Sequence, residues 1–379
     1  MIIIPFLNHI NNMKEKKNIL IIIFVLFIIS IINLYNAKYL NNYYSDYYIK
    51  QIIWYIVSFF IMFLITKNKN LIFKYSKLIY IINIILLIYV LLFGKIINGT
   101  KAWINFYFFS FQPSEFMKIS LLLYLISIIC NKDKKHIKII KLITFTLIPS
   151  LLVFLEPDTG AIIFYFIIFI TCLTFLKIDK KYYLFLFIVI ILFISIFIYI
   201  YNYNQDLIVN IFGSNIYYRI DRFVNFKSNN YQLDLSLLSI FSSSIFRNGF
   251  NNILIYIPEG ATDFIFAFII GNFGLIMIPL ILLCYLYFYY NLINILKYSN
   301  NKKTNYIIIS FVYMSLFQVL INISMNIGLI PIIGITLPFL SYGGSSILIY
   351  FIFLGLIFNN HKALVHNKNM NNFHMDDMD

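Results

Sequence analysis

Long apolar runs recur along this 379-residue chain, separated by short polar stretches. Two of them, Ile19–Leu34 and Tyr183–Tyr201, contain no charged residue. A helix of about 20 apolar residues crosses the hydrocarbon core of a bilayer, and the alternation typical of a membrane β-barrel is not found. The pattern predicts an all-α polytopic membrane protein of about ten transmembrane helices, at 18–35, 49–66, 78–94, 114–130, 142–155, 160–176, 183–201, 264–290, 306–323 and 342–358.

The spaces between the runs predict the domain organisation. Residues 1–17 form a polar N-terminal tail, 18–360 a single membrane domain, and 361–379 a polar tail predicted to be disordered. Most connections are short, but residues 202–262 form one long extracytoplasmic loop, and long loops with little low-complexity character are usually functional. Within it, 231–246 mixes apolar residues with serines and is compatible with a helix at the membrane interface. The first run is too long for the apolar core of a cleavable signal and is predicted to remain as the first span.

Composition and charge agree with this organisation. The chain is 61% hydrophobic and 12% charged, whereas soluble domains carry roughly a quarter charged residues. With both termini inside, 20 of the 29 Lys and Arg residues fall on the cytoplasmic side, but only 6 of the 15 acidic residues do. The positive-inside rule therefore predicts cytoplasmic termini in a bacterial inner membrane. The net charge of +14 reflects topology, and no nucleic acid partner is predicted.

Scarce residues restrict the chemistry. The three Cys residues are too scattered for a disulfide framework or a zinc site. All five His residues lie on the predicted cytoplasmic side: His9, His136, His361, His366 and His374. An active site on the outer face would therefore depend on carboxylates for acid–base chemistry.

The first cluster of scarce residues is NGTKAWINFYFFSFQPSEFMK, at 98–118. Pro113 suits the first turn of a helix, where Glu115 would face a favourable helix dipole. Lys118, three residues on, shares a helix face with Glu115. Ionisable residues within a span are costly and are commonly functional, although a purely structural ion pair is the alternative. Trp103 is either an interfacial anchor or part of the site.

Two further clusters lie on the predicted outer side. In EPDTG, at 156–160, Asp158 and Thr159 are natural caps for the sixth span. In PEGATDFIFAF, at 258–268, Asp263 stands where the chain re-enters the bilayer, and capping of the eighth span is its plainer explanation. Upstream, Arg219 and Arg222 could clamp a phosphate or pair with nearby aspartates.

The fourth cluster, GLIPIIGITLPFLSYGGSS at 328–346, holds four Gly and two Pro and cannot form a straight helix. Non-helical backbone at membrane depth is tolerated only where it is buried in protein or lines a wet cavity.

These four clusters, in this order over nearly the whole chain, resemble the RodA/FtsW (SEDS) family. The strings FQPSEFMK and LPFLSYGGSS carry most of the resemblance. It implies a peptidoglycan glycosyltransferase that polymerises lipid II, with Asp263 as the catalytic residue. The chain departs from the family where Gly271 and Asn272 replace the usual Glu pair, which puts full activity in doubt.

Joining lipid-linked sugars requires a base for the acceptor hydroxyl and positive charge for the leaving diphosphate. Asp263 is the candidate base and a candidate ligand for a divalent cation, Mg²⁺ or Mn²⁺; no organic cofactor is predicted. The residues predicted to bind substrate or diphosphate are Trp103, Gln112, Ser114, Glu115, Lys118, Asp158, Arg219 and Arg222.

The expected partners are lipid II, the growing glycan strand, a class B penicillin-binding transpeptidase, membrane proteins of the elongation complex and membrane lipid. Because the string around 328–346 lacks a Thr-Lys pair common in division-type members, it favours a RodA-like role in elongation and cell shape over an FtsW-like role in division. A lipid II flippase, a non-catalytic scaffold and ion-coupled transport are the alternatives. A flippase would need charges along a central path, whereas the charges here concentrate at the outer end.

Overall fold

The computed structural model describes residues 3–39, 44–97, 100–105, 110–203, 205, 224–226, 230–247 and 255–358. The predicted C-terminal tail, Arg219 and Arg222 lie outside these residues. Within them the helices are α1 (Ile3–Ala37), α2 (Tyr47–Lys74), α3 (Ser76–Phe93), α4 (Pro113–Cys130), α5 (Lys135–Leu155), α6 (Thr159–Phe175), α7 (Lys180–Tyr203), α8 (Tyr231–Phe241), α9 (Ile265–Phe273), α10 (Met277–Tyr298), α11 (Lys302–Asn326) and α12 (Gly344–Phe358).

The helices confirm an all-α polytopic membrane protein. Seven of those described are long and apolar enough to cross a membrane, and α6 and α12 are shorter apolar helices. Nine of the ten predicted spans each coincide with one helix, but α1 begins at Ile3, so most of the predicted N-terminal tail is helical. The segment predicted as an interfacial helix forms α8, which packs against α9.

The predicted eighth span, 264–290, is wrong as a continuous helix. It is divided into α9 and α10 at Gly274, whose φ of +94° is strained for any residue with a side chain. The amides of Leu275 and Ile276 donate to the carbonyl oxygens of Ser244 and Ile245, at 3.0 and 3.1 Å. The break therefore attaches the segment that follows α8 to the bundle.

A small antiparallel sheet, which the sequence analysis did not predict, precedes α4. Its strands are β1 (Lys95–Ile97), β2 (Thr100–Asn105) and β3 (Ser110–Phe111), with β2 in the middle. Trp103 lies on β2 opposite Lys95 and is partly buried. The sheet leads the chain directly into α4.

Helix α4 is the centre of the bundle. In the most apolar 18-residue stretch of α4, 78% of the residues are buried, compared with 22% in the corresponding stretch of α2. Isoleucine, leucine and phenylalanine side chains on α2, α3 and α5 are widely exposed, as expected for a lipid-facing surface. Helix α12 packs closely on α2, since a Cβ atom on Gly355 would lie 2.9 Å from the carbonyl oxygen of Met62.

The Gly- and Pro-rich segment between α11 and α12 is non-helical, as predicted. Buried side chains from three helices satisfy its carbonyl oxygens. Ser30 of α1 donates to Leu340, Tyr55 of α2 to Phe339, and Tyr285 of α10 to Pro338, at 2.5–2.7 Å. This is how irregular backbone is accommodated inside a membrane protein.

Candidate active site

Asp263 lies at the end of a tight turn that leads into α9. The backbone amide of Phe264 donates to the carbonyl oxygen of Glu259 at 3.0 Å. Phe264, not Asp263, is the N-cap residue of α9, and no side chain caps this helix. The capping explanation for Asp263 is therefore not supported by the geometry.

Two asparagines of α11 fix the backbone of Asp263. The side-chain amides of Asn322 and Asn326 donate to its carbonyl oxygen at 2.8 and 3.0 Å. Asn326 also accepts a hydrogen bond from the backbone amide of Ala267. Both asparagines are fully buried, so the position of Asp263 is fixed by its main chain, and the residue as a whole is only partly buried.

The surroundings of the Asp263 carboxylate favour its protonated form. Burial, and then the nearby Glu259 carboxylate, raise the pKa of Asp263 to about 7. A Cβ atom on Gly334 would lie 3.6 Å from Asp263 Oδ2, so the absence of a side chain there leaves room beside the carboxylate. A carboxylate with a pKa near the working pH is suited to accepting a proton.

Asp158 joins the first turns of α4 and α6. Its Oδ2 accepts hydrogen bonds from Gln112 Nε2 and Ser114 Oγ at 2.8 and 2.7 Å. Its Oδ1 accepts one from the backbone amide of Ala161 at 3.3 Å, which confirms Asp158 as the cap of α6. The predicted residues Gln112, Ser114 and Asp158 thus form one hydrogen-bonded group that positions the start of α4.

Glu115 and Lys118 form the predicted ion pair, with Lys118 Nζ 2.5 Å from Glu115 Oε1. The two residues differ in exposure: Lys118 is 2% exposed and Glu115 is 16% exposed. Lys118 Nζ also lies 4.4 Å from the centroid of the Phe164 ring. Glu115 is therefore the member of the pair that solvent or a substrate can reach, and Lys118 lies behind it.

The fourth sequence cluster, 328–346, covers the segment between α11 and α12 and the first residues of α12, and it brings the other clusters together. Ser345 Oγ accepts a hydrogen bond from the amide of Gln112 at 3.3 Å. Ser341 Oγ donates to the carbonyl oxygen of Thr262 at 2.6 Å, beside Asp263. A Cβ atom on Gly160 would lie 3.1 Å from Ile335 Cγ1. The other three clusters, which are widely separated in sequence, therefore all contact this fourth cluster.

Sequence reasoning missed the polar side chains of α11. The side chain of Gln318 donates to the carbonyl oxygen of Thr336 at 2.8 Å. Gln318 lies one helical turn before Asn322 and two turns before Asn326, the asparagines that hold Asp263. The three amides, at 318, 322 and 326, occur every fourth residue in the C-terminal half of α11. That spacing places them on one helix face and could have identified them as a functional stripe.

Glu156 was also missed. Its side chain is fully buried, and neither carboxylate oxygen has a hydrogen-bond partner among the described residues. Burial, and then the neighbouring Asp158, raise the pKa of Glu156 to about 8. The residue stands in the EPDTG string, but its isolation could not be predicted from that string.

Only a limited set of residues could bind a divalent cation. Among the described residues, no group of three His, Cys, Asp or Glu side chains converges. Asp263 and Glu259 are two neighbouring carboxylates, and Mg²⁺ commonly uses one or two carboxylates together with substrate phosphates. Those two residues fit a site of that kind only if phosphate oxygens complete it.

Comparison with known proteins shows the family to which the chain belongs. The profile of the FtsW/RodA/SpoVE cell cycle protein family matches residues 16–366. The chain belongs to this family. It is 31% identical over 351 residues to the probable peptidoglycan glycosyltransferase FtsW of Wigglesworthia glossinidia brevipalpis, covering 87% of each chain. It is also 31% identical over 326 residues to the protein of the same name from Buchnera aphidicola subsp. Schizaphis graminum, covering 80% of this chain and 87% of the relative.

Solved structures show the same fold. A chain of a peptidoglycan synthase complex, solved to show the structural coordination of polymerization and crosslinking, aligns with a TM-score of 0.74 at 21% identity, covering 91% of this SEDS chain and 98% of that chain. The rod shape determining protein RodA of Thermus thermophilus aligns with a TM-score of 0.63 at 21% identity, covering 90% and 95%. The family predicted from the four clusters is thus confirmed.

Proposed function

We propose that this SEDS protein is a peptidoglycan glycosyltransferase that polymerises lipid II into glycan strands at the outer face of the inner membrane. The proposal rests on the environment of Asp263. The residue is only partly buried and lies beside Gly334, its main chain is fixed by two buried asparagines, and its pKa is raised to about 7. The names of the two curated relatives support the same activity.

Asp263 acts as the general base in this proposal. It accepts the proton of the acceptor sugar hydroxyl as that oxygen forms a bond to the anomeric carbon of the donor. The bond between the anomeric carbon and the diphosphate oxygen breaks, and undecaprenyl diphosphate leaves. One displacement inverts the anomeric carbon and needs no covalent sugar–enzyme intermediate.

The leaving diphosphate requires positive charge. The first turn of α4 directs its backbone amides and its partial positive charge towards the outer side, which suits an anion. A divalent cation held by Asp263 and Glu259 would add charge neutralisation of the diphosphate. Because Lys118 is buried behind Glu115, its role in this scheme is to fix the orientation of Glu115.

We further propose a role in cell division. The curated relatives named above carry the division-type name FtsW, whereas the sequence-based preference was for the elongation type. The structural likeness to RodA concerns the fold, which both types share. A penicillin-binding transpeptidase remains the proposed partner, supported by the likeness to a chain of a synthase complex that coordinates polymerization with crosslinking.

The decisive experiment is polymerisation of purified lipid II by wild type and by Asp263→Asn, with the partner transpeptidase present. Asparagine keeps the volume but cannot take the proton, so the rate should fall by a factor on the order of 10²–10⁴. Asp234→Asn is the matched control, because Asp234 is an exposed carboxylate on α8, and it should leave the rate unchanged. Normal glycan chains from Asp263→Asn, or none from wild type, would overturn the proposal.

The pH profile of the wild-type rate gives a second readout of the same residue. The base must be deprotonated, and the pKa of Asp263 is raised to about 7. Where no divalent cation is bound at Asp263, since its charge would lower this pKa, the rate should therefore increase with pH through about 7 and fall roughly tenfold per unit on the acid side. A rate that stays constant from pH 5 to 8 would exclude Asp263 as the titrating base.

A further inference from the structure

A basic cavity lies at the other end of the bundle from Asp263. Helix α4 runs from the candidate active site at Pro113 to Cys130 at the cavity, a length of about 27 Å for 18 helical residues. Helix α11 runs the opposite way, from Lys302 at the cavity to Asn326 beside Asp263. The charge bias of the sequence predicts that this end faces the cytoplasm.

The cavity has two adjoining parts, of about 790 and 670 Å³. Both parts are lined by Phe73, Lys74, Cys130 and Lys303, so they lie side by side. Helix α2 has a non-helical residue at Asn68, and the segment after this kink forms one wall. The cavity is thus a feature of how α2, α4 and α11 pack.

Lysines from several helices converge on this space. Lys74 of α2 and Lys302 and Lys303 of α11 line the larger part, and Lys77 of α3 lines the smaller. Lys303 Nζ lies 5.3 Å from the centroid of the Phe73 ring on the opposite wall. No Asp or Glu is among the described residues that line either part. The fifth lysine, Lys141, is paired with Asp133, with 2.5 Å between nitrogen and oxygen.

Four lysines without a lining carboxylate form an anion site, and the apolar surroundings indicate what kind of anion. Leu71 on α2 and Leu78 on α3, which follow the lining residues Asn70 and Lys77 in sequence, are 53% and 52% exposed, as for side chains that face acyl chains. The cavity walls also include Ile128, Ile129 and Phe145. A ligand with an anionic headgroup and apolar tails fits both surfaces. Basic pockets between transmembrane helices commonly bind acidic lipid headgroups.

We propose that this cavity binds the phosphate headgroup of an anionic phospholipid, separately from the candidate active site. The headgroup phosphate contacts Lys74, Lys302 and Lys303, and the first turn of α11 adds its partial positive charge. The acyl chains follow the exposed apolar surface of α2 and α3. None of the residues that line this cavity belongs to the candidate active site. The lipid proposal therefore does not depend on the proposed glycosyltransferase activity.

The test is binding of phosphatidylglycerol to the purified full-length protein, measured by native mass spectrometry. Loss of a lysine near a lipid headgroup weakens binding about fivefold, so Lys302→Gln/Lys303→Gln should raise the Kd about 25-fold. Lys180→Gln/Lys181→Gln is the matched control, because these exposed lysines begin α7 as the others begin α11 but do not line the cavity. Lys302→Arg/Lys303→Arg keeps the charge and should retain the lipid.

A second measurement uses the cysteine inside the cavity. Cys130 is exposed, whereas Cys172 is buried. In a Cys284→Ser background, alkylation of Cys130 should be slower in nanodiscs of phosphatidylglycerol than in nanodiscs of phosphatidylcholine. The difference should persist in the Arg double variant, which also keeps the test valid if the Gln variant does not fold.

Three results would overturn the proposal. Equal lipid retention by all variants would show that the lysines set only the orientation of the chain. Equal loss from both Gln double variants would indicate general attraction to a charged surface. Displacement of the lipid by millimolar inorganic phosphate would make the cavity a site for a soluble anion.

Discussion

Two carboxylic acids on the predicted outer side have raised pKa values for the same reason, but they differ in access. Asp263 is partly exposed beside Gly334, whereas both oxygens of Glu156 are buried and lack a described partner. An acid that a hydroxyl can approach is able to exchange a proton with it. The burial of Glu156 instead costs free energy whenever the group ionises.

Glu156→Gln should change how the stability of the protein depends on pH. The pKa of Glu156 is raised from 4.5 to about 8, so the folded state keeps a proton that the unfolded state releases. Wild-type stability should therefore decrease as pH rises from 4.5 to 8. Glutamine carries no charge, so the variant should be more stable at pH 8 by on the order of 4 kcal/mol and similar at pH 4.5. Thermal unfolding in detergent at both pH values measures this.

Asp234→Asn is the control, since Asp234 is exposed. A stability difference for Glu156→Gln that did not change with pH would mean that Glu156 is ionised in the folded protein. Lower activity at unchanged stability would instead give Glu156 a role in the site.

At the scale of elements, the start of α4 concentrates the polar groups that the sequence analysis identified. Pro113 stands in its first turn, Asp158 fixes Gln112 and Ser114, and Glu115 faces outward from Lys118. Breaking a buried ion pair by removing one partner is costly, because the other charge is left without compensation. A single substitution therefore cannot separate a structural role from a functional one.

A pair of variants can separate them. Lys118→Met leaves Glu115 unpaired and should lower stability by about 3–5 kcal/mol and abolish polymerisation. Glu115→Gln/Lys118→Met removes both charges and should recover most of the stability. If Glu115 contacts substrate, polymerisation stays lost in the double variant; if the pair is only structural, it returns. Thermal unfolding and lipid II polymerisation are measured on the same preparations.

The division of the predicted eighth span is also an element-scale feature. The apolar run 264–290 has the length and hydrophobicity of one long helix. The helix breaks at Gly274. Only glycine fits there, because a Cβ atom would lie 2.5 Å from the carbonyl oxygen of Ile245. Helix α9 can therefore turn away from α10 and place Asp263 against α11.

At the scale of the whole molecule, the two ends of the bundle differ in charge and in chemistry. Carboxylates cluster around Asp263 and Asp158, whereas lysines line the cavity at Lys74 and Lys303. Because flanking Lys and Arg residues set membrane orientation, the lysine-rich end is predicted to face the cytoplasm. Lipid II polymerisation at the outer face requires this orientation.

Single-cysteine labelling of intact cells with a membrane-impermeant reagent tests the orientation. In a background with Cys130→Ser and Cys284→Ser, Ser242→Cys at the end of α8 should be labelled. Lys134→Cys, in the exposed connection between α4 and α5, should be labelled only after the cells are opened. Labelling of Lys134→Cys in intact cells would reverse the topology and place Asp263 on the cytoplasmic side.

The sequence alone determined the membrane class, the approximate spans and the family, because apolar length and rare polar strings are local properties. It also placed Pro113 and Asp158 correctly, since caps and first-turn residues depend on neighbouring backbone. Only the tertiary structure showed that Lys118 is buried behind Glu115, that α11 supplies the asparagines that hold Asp263, and that α9 separates from α10. These features depend on contacts between residues far apart in the chain, and burial and long-range hydrogen bonds exist only once the helices have packed.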